Sequence, residues 1–126
     1  MSDKKRIVII DNNHDDLDLL ELFLFDTYEI EAFLDVYGGL RALRGAPAPP
    51  ALLITYTMMP DMEGKKLIRT IKEDETIADI PVIAMVSSVQ KYSITELLNS
   101  GFSDVIGKPF SRQDIRSTVD KILHSC

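Results

Sequence analysis

Ala51-Leu52-Leu53-Ile54-Thr55-Tyr56-Thr57-Met58-Met59-Pro60-Asp61-Met62-Glu63-Gly64 reads as a strand, a loop and the start of a helix. The unbroken apolar run Leu52-Leu53-Ile54, with no polar alternation, is the pattern of a strand covered on both faces. From Gly64 to Glu73, Leu67, Ile68 and Ile71 fall at helical spacing and predict one inward stripe. A doubly covered strand followed by an amphipathic helix is the repeating unit of a parallel α/β sheet.

The flanking sequence repeats this unit. Arg6 to Ile10 ends in Ile7-Val8-Ile9-Ile10, a second doubly covered strand. After it, Leu17, Leu20 and Leu24 form a helical stripe with Leu19 and Phe23 beside it, capped by Asn12 or Asn13. Asp15 and Asp16 fall in the first turn, where they offset the helix dipole. Tyr28 to Leu34 alternates Ile30, Ala32 and Leu34 with Glu29 and Glu31, predicting an edge strand with one exposed face. Val36 to Arg44 is a short helix weakened by Gly38 and Gly39, and Ala46-Pro47-Ala48-Pro49-Pro50 is a stiff connector. Pro81 opens the strand Val82-Ile83-Ala84-Met85-Val86. Val89 to Ser100 reads as a helix turning Ile94, Leu97 and Leu98 inward, with Gly101 as its left-handed stop. Phe102 to Ile106 is a last strand. Ser111 with Asp114 resembles a capping box for a helix whose stripe is Ile115, Val119, Ile122 and Leu123.

Five strands alternating with five helices require parallel strands, right-handed crossovers and helices on both faces: an α/β, doubly wound sheet. In such sheets a site forms at the carboxyl ends of the central strands, here Asp11, Tyr56, Val86 and the segment around Lys108.

The 126 residues suit one domain spanning 1–126, and 45% apolar with 27% charged residues excludes disorder. Twenty acidic against 14 basic residues give a charge of −6, which disfavours nucleic acid and anionic membrane and favours protein partners. The single cysteine, Cys126, allows no internal disulfide, so a reducing cytoplasm is expected. Met1 to Arg6 carries no apolar signal core, and no run approaches the roughly 20 apolar residues of a membrane span.

The whole chain resembles the receiver domains of response regulators, a flavodoxin-like family with strand order 2-1-3-4-5. The resemblance rests on Ile10-Asp11, on Met58-Met59-Pro60-Asp61-Met62-Glu63-Gly64, on Ile80-Pro81-Val82-Ile83 and on Gly107-Lys108-Pro109-Phe110. In this order and at these spacings the four are specific. The family implies an aspartate nucleophile after the third strand, two acids after the first that help hold Mg²⁺, and a lysine after the fifth. By position these fall on Tyr56, on Asp11 and Asn12, and on Lys108, while the switch hydroxyl and switch aromatic fall on Val86 and Val105. Only Asp11 and Lys108 match in full.

A tyrosine phenol titrates at about 10 and a carboxyl at about 4, so Tyr56 offers neither a carboxylate nucleophile nor a charged metal ligand at neutral pH. No acyl phosphate is expected on it, and with Asn12 uncharged no strong Mg²⁺ binding, metal site or cofactor is expected. Val86 lacks the hydroxyl, and Ser87 sits one step along the strand, facing the other way. The resemblance therefore implies a degenerate pseudo-receiver, not an enzyme. It would act independently of phosphorylation as a protein-protein interaction module of a two-component-type pathway. Its partner surface, by resemblance, is the face of the fourth helix, fifth strand and fifth helix: Lys91, Tyr92, Glu96, Val105, Arg112 and Gln113. Lys108 is expected to pair with Asp11 across the pocket, with Tyr56 filling it through a hydroxyl bonded to Lys108 or Asp11, or else turning outward. A cis peptide is expected at Lys108-Pro109.

Two other readings stand beside this one. The first is a phosphotransfer receiver using a displaced acceptor such as Asp61, and the second a small-molecule binder at the switch point. The acidic, glycine-free loop Asp11 to Asp16 is ill suited to cradling phosphate. His14 reads as a solvated helix-start residue, and Met58, Met59, Met62 and Met85 as core fillers and loop contacts. No output domain follows the fifth helix, so the expectation is a stand-alone protein or one unit of a longer one.

Overall fold

β1 (Arg6–Ile10) lies between β2 (Glu29–Phe33) and β3 (Leu52–Tyr56), which continues to β4 (Val82–Val86) and β5 (Asp104–Gly107). The order is β2-β1-β3-β4-β5 and every pairing is parallel, with Ile9 beside Ala32 and Ile54, Ile54 beside Ile83, and Met85 beside Ile106. The helices are α1 (His14–Leu24), α2 (Val36–Arg44), α3 (Gly64–Lys72), α4 (Ile94–Ser100) and α5 (Arg112–His124). This is the computed structural model of the chain, and it describes residues 4–45, 48–87 and 92–124.

The two-residue period of a strand divides each central strand between two cores. Ile7 and Ile9 pack with Leu17, Leu20, Leu24, Ile115 and Val119 of α1 and α5. Val8 and Ile10 pack with Val36, Leu40, Leu67, Ile68 and Leu97 of α2, α3 and α4. Complete burial stabilises each such aliphatic side chain by roughly 1.5–3 kcal/mol, which is why the continuous apolar runs settle in the sheet centre.

Local signals end the helices. Asn13 caps α1, its side chain accepting from the Asp16 amide at 3.0 Å. Ser111 and Asp114 form the expected reciprocal bonds at the start of α5. Gly101 stops α4 at φ 119°, a conformation that favours glycine. Gly39 has a packing role beyond its low helix propensity: a Cβ there would run into the Ile10 side chain, so its absence lets α2 lie close on β1.

Three expectations need correction. The helix read from Val89 begins at Ile94, after a capping box between Ser93 and Glu96, and Val89 lies outside the described residues. Of its apolar residues only Leu97 is buried, whereas Ile94 and Leu98 are 54% and 43% exposed. β2 does not alternate cleanly either. Ile30 and Phe33 each lean on a different core, Ala32 is exposed, and Glu31 is drawn against the sheet by Arg6, 2.6 Å away.

Candidate functional site: the lysine pocket at the strand ends

The strand order reverses between β1 and β3, and the loops leaving β1, β3 and β5 converge above that point. Asp11 follows β1 and is held by its own amide, which donates to the Phe33 carbonyl at 3.1 Å. Its side chain is 1% exposed, and Oδ1 accepts from the Asn13 amide at 3.1 Å. Lys108 follows β5, its amide donating to the Val86 carbonyl at 2.6 Å, and the Lys108-Pro109 peptide is cis.

The lysine amine is enclosed. Nζ lies 2.7 Å from Asp11 Oδ2, 2.8 Å from Asp16 Oδ2 and 3.9 Å from the centroid of the Tyr56 ring. The Asp11 contact is close but poorly aligned for a hydrogen bond, so charge rather than a directed donor satisfies Oδ2. Burial on its own would push the Lys108 pKa down, but the close carboxylates of Asp11 and Asp16 outweigh that and hold it above the ordinary value. An ammonium over an aromatic face gains about 0.5–2 kcal/mol, more as water is excluded.

The expected Asp11–Lys108 pair is therefore present, and Tyr56 does fill the crevice, packed against both cores. It does so by its face. Among the described residues its hydroxyl makes no hydrogen bond, contrary to the expected bond to Lys108 or Asp11. Asn12 is exposed beside the pocket, Val86 is buried at 6% exposure, and Val105 is half-buried against the α2–α4 core. Among the described residues no group of three or more His, Cys, Asp or Glu side chains is placed to hold a metal ion.

Asp16 was missed as a pocket residue, because its place in the first turn of α1 already explains an acid. The signal was its position four residues before buried Leu20, which puts it on the inward stripe. Asp61 serves α2, with Oδ2 accepting from the Val36 amide at 2.8 Å and the Tyr37 amide at 3.4 Å. Met59, Met62 and Met85 fill the core and Met58 is exposed. His14 is exposed at the start of α1, whereas His124 meets the buried Tyr28 hydroxyl at 3.0 Å.

The expected partner face is only partly open. Tyr92 is half-buried, its hydroxyl donating to Glu63 Oε1 at 2.8 Å, and Glu96 is engaged by the cap of α4. Arg112 and Gln113 are exposed on α5, and Lys91 lies outside the described residues. Among the described residues no helix is long and apolar enough to cross a membrane.

The model of the response regulator receiver domain matches residues 7–120. A sensor histidine kinase, TmoS, of Ectopseudomonas mendocina is 31% identical over 123 residues, 97% of this chain but 12% of that protein. The chemotaxis protein CheY1 of Helicobacter pylori is 30% identical over 95 residues, 74% of this chain and 77% of that one. Among solved structures, the signal receiver domain of a signal transduction histidine kinase from Syntrophus aciditrophicus superposes with a TM-score of 0.82. It is 27% identical and the match covers 94% of this chain and 89% of that one. Sheet order, converging loops and these likenesses together place the chain in the response regulator receiver domain family of two-component signalling.

Proposed function

We propose that this receiver works without being phosphorylated, as a protein-protein interaction module of a cytoplasmic two-component-type pathway. The observation that carries the reading is the engagement of Lys108 by Asp11, Asp16 and the Tyr56 face. The amine that would meet an incoming phosphoryl group is neutralised from within, and the position that would accept it holds a phenol. Asp61, the displaced acceptor named from the sequence, has one carboxylate oxygen, Oδ2, committed to two α2 amides. Mg²⁺ prefers a near-octahedral oxygen set. The two carboxylates facing the pocket are both paired with Lys108, so this donor set does not fit a resident ion. The family is one of signalling modules, and a non-catalytic role for this chain is part of the proposal.

The candidate partner face keeps Glu96, Val105, Arg112 and Gln113, to which exposed Ile94 and Leu98 are added. The test is incubation with Mg²⁺ and acetyl phosphate, followed by intact mass spectrometry. An unchanged mass is expected. A metal-dependent gain of one phosphoryl group on any side chain would overturn the proposal.

A further inference from the structure

Charge is unevenly shared between the two layers of helices. α1 carries Asp15, Asp16, Asp18 and Glu21 with no lysine or arginine, whereas α3 on the other side of the sheet reads Gly-Lys-Lys-Leu-Ile-Arg-Thr-Ile-Lys with no acid. In a chain of net charge −6, α3 is a local cationic surface. Lys65, Arg69 and Lys72 stand at helical spacing on one stripe, and that stripe borders a cleft of about 360 Å³ between α3 and α4. Ile68 lies beneath the cleft as part of the core, 1% exposed, and Glu73 and Ser100 close the rim.

The cleft is partly preorganised. The Lys72 stem lies where a side chain on Gly101 would stand, 3.2 Å from a Cβ built there, and its amine donates to the Ala78 carbonyl at 3.1 Å. Lys65 is only loosely held, 3.8 Å from Glu96 and 4.6 Å above the Tyr92 ring. Arg69 is exposed, and its side chain makes no hydrogen bond or ion pair among the described residues.

We infer that the α3–α4 cleft is a docking site for an acidic peptide segment of a protein partner. The segment would lay one apolar side chain along the methylene stems of Lys65, Arg69 and Lys72 and place carboxylates against their charged ends. Glu73 repels an acid at the far end and so fixes the direction of the segment. A nucleic acid presents a long run of charge that would also face the acidic remainder of the molecule. A short peptide engages the stripe alone, within a Debye length of about 8 Å at physiological salt. The site lies apart from the lysine pocket, so it stands or falls independently of the phosphorylation test.

The experiment is fluorescence anisotropy of the intact chain with a fluorescein-labelled peptide of repeated Glu-Glu-Leu triplets, with oligothymidylate of equal length in parallel. Saturable, salt-sensitive binding of the peptide is expected, weakened about tenfold by Arg69→Glu. Lys66→Glu, on the same helix but outside the cleft, is expected to change affinity less than about twofold, with circular dichroism checking that both variants fold. Absence of saturable peptide binding overturns the inference, as do equal losses in the two variants or oligothymidylate binding as tight as the peptide.

Discussion

The two ends of α1 are both tied down by a cation, and they are tied differently. At its start Asp16 shares Lys108 with Asp11, in a pocket where the Asp11 side chain is 1% exposed and that of Lys108 16%. Just past its end Arg116 of α5 reaches Asp26 at 2.6 Å, the Thr27 hydroxyl at 2.9 Å and the Phe23 carbonyl at 3.2 Å, with the Asp26 side chain 51% exposed. Water already solvates the second cluster, so its charges gain little from one another. In the first, removing Lys108 strands the Asp11 carboxylate away from water.

The sharpest way to break this contrast is Lys108→Met. It leaves Asp11 buried with the Asn13 amide alone and is expected to cost about 3–5 kcal/mol at neutral pH, read from the urea midpoint. That deficit should shrink as the pH falls, because an unpaired buried carboxyl takes up a proton more readily folded than unfolded. Arg116→Met should cost a small fraction as much; equal losses would dissolve the distinction.

Next in size is Asp61→Ala, which removes the acceptor of the Val36 and Tyr37 amides and is expected to cost about 1 kcal/mol of stability to urea. Tyr28→Phe keeps the buried ring but loses the hydroxyl's bond to Asp120, 2.5 Å away, for a comparable or smaller loss of about 0.5–1.5 kcal/mol. The weakest effect, invisible at neutral pH, belongs to an alkaline series. Burial and Asp120 raise the Tyr28 pKa above its ordinary 10.0, and the Lys108 pKa stands above 10.5. Both groups hold their protons longer folded than unfolded. Stability is therefore full below these ordinary values and falls as the pH rises past them, and Tyr28→Phe should make the fall shallower.

The central strands were legible because burial on both faces leaves only apolar residues, which is a pattern in sequence. α4 and β2 were not. Ile94 and Leu98 have helical spacing, but spacing does not say which face a neighbour covers, and β2 leans on both cores by halves. In the pocket, Asp11 and Lys108 were readable as opposite charges at converging strand ends. Asp16 was hidden behind an adequate local reason for an acid at that place. The bearing of Tyr56 depends on a side-chain rotation that no spacing encodes, so its face rather than its hydroxyl meets the amine.

The bond from Asp61 to the first amides of α2 joins the loop after Tyr56 to the edge of the sheet. A partner that pulls on that loop moves the opening turn of α2 with it, a mechanical linkage needing neither Val86 nor Val105. Faster hydrogen exchange at the Val36 and Tyr37 amides on partner binding would register that pull, and unchanged exchange there would show that the loop moves alone.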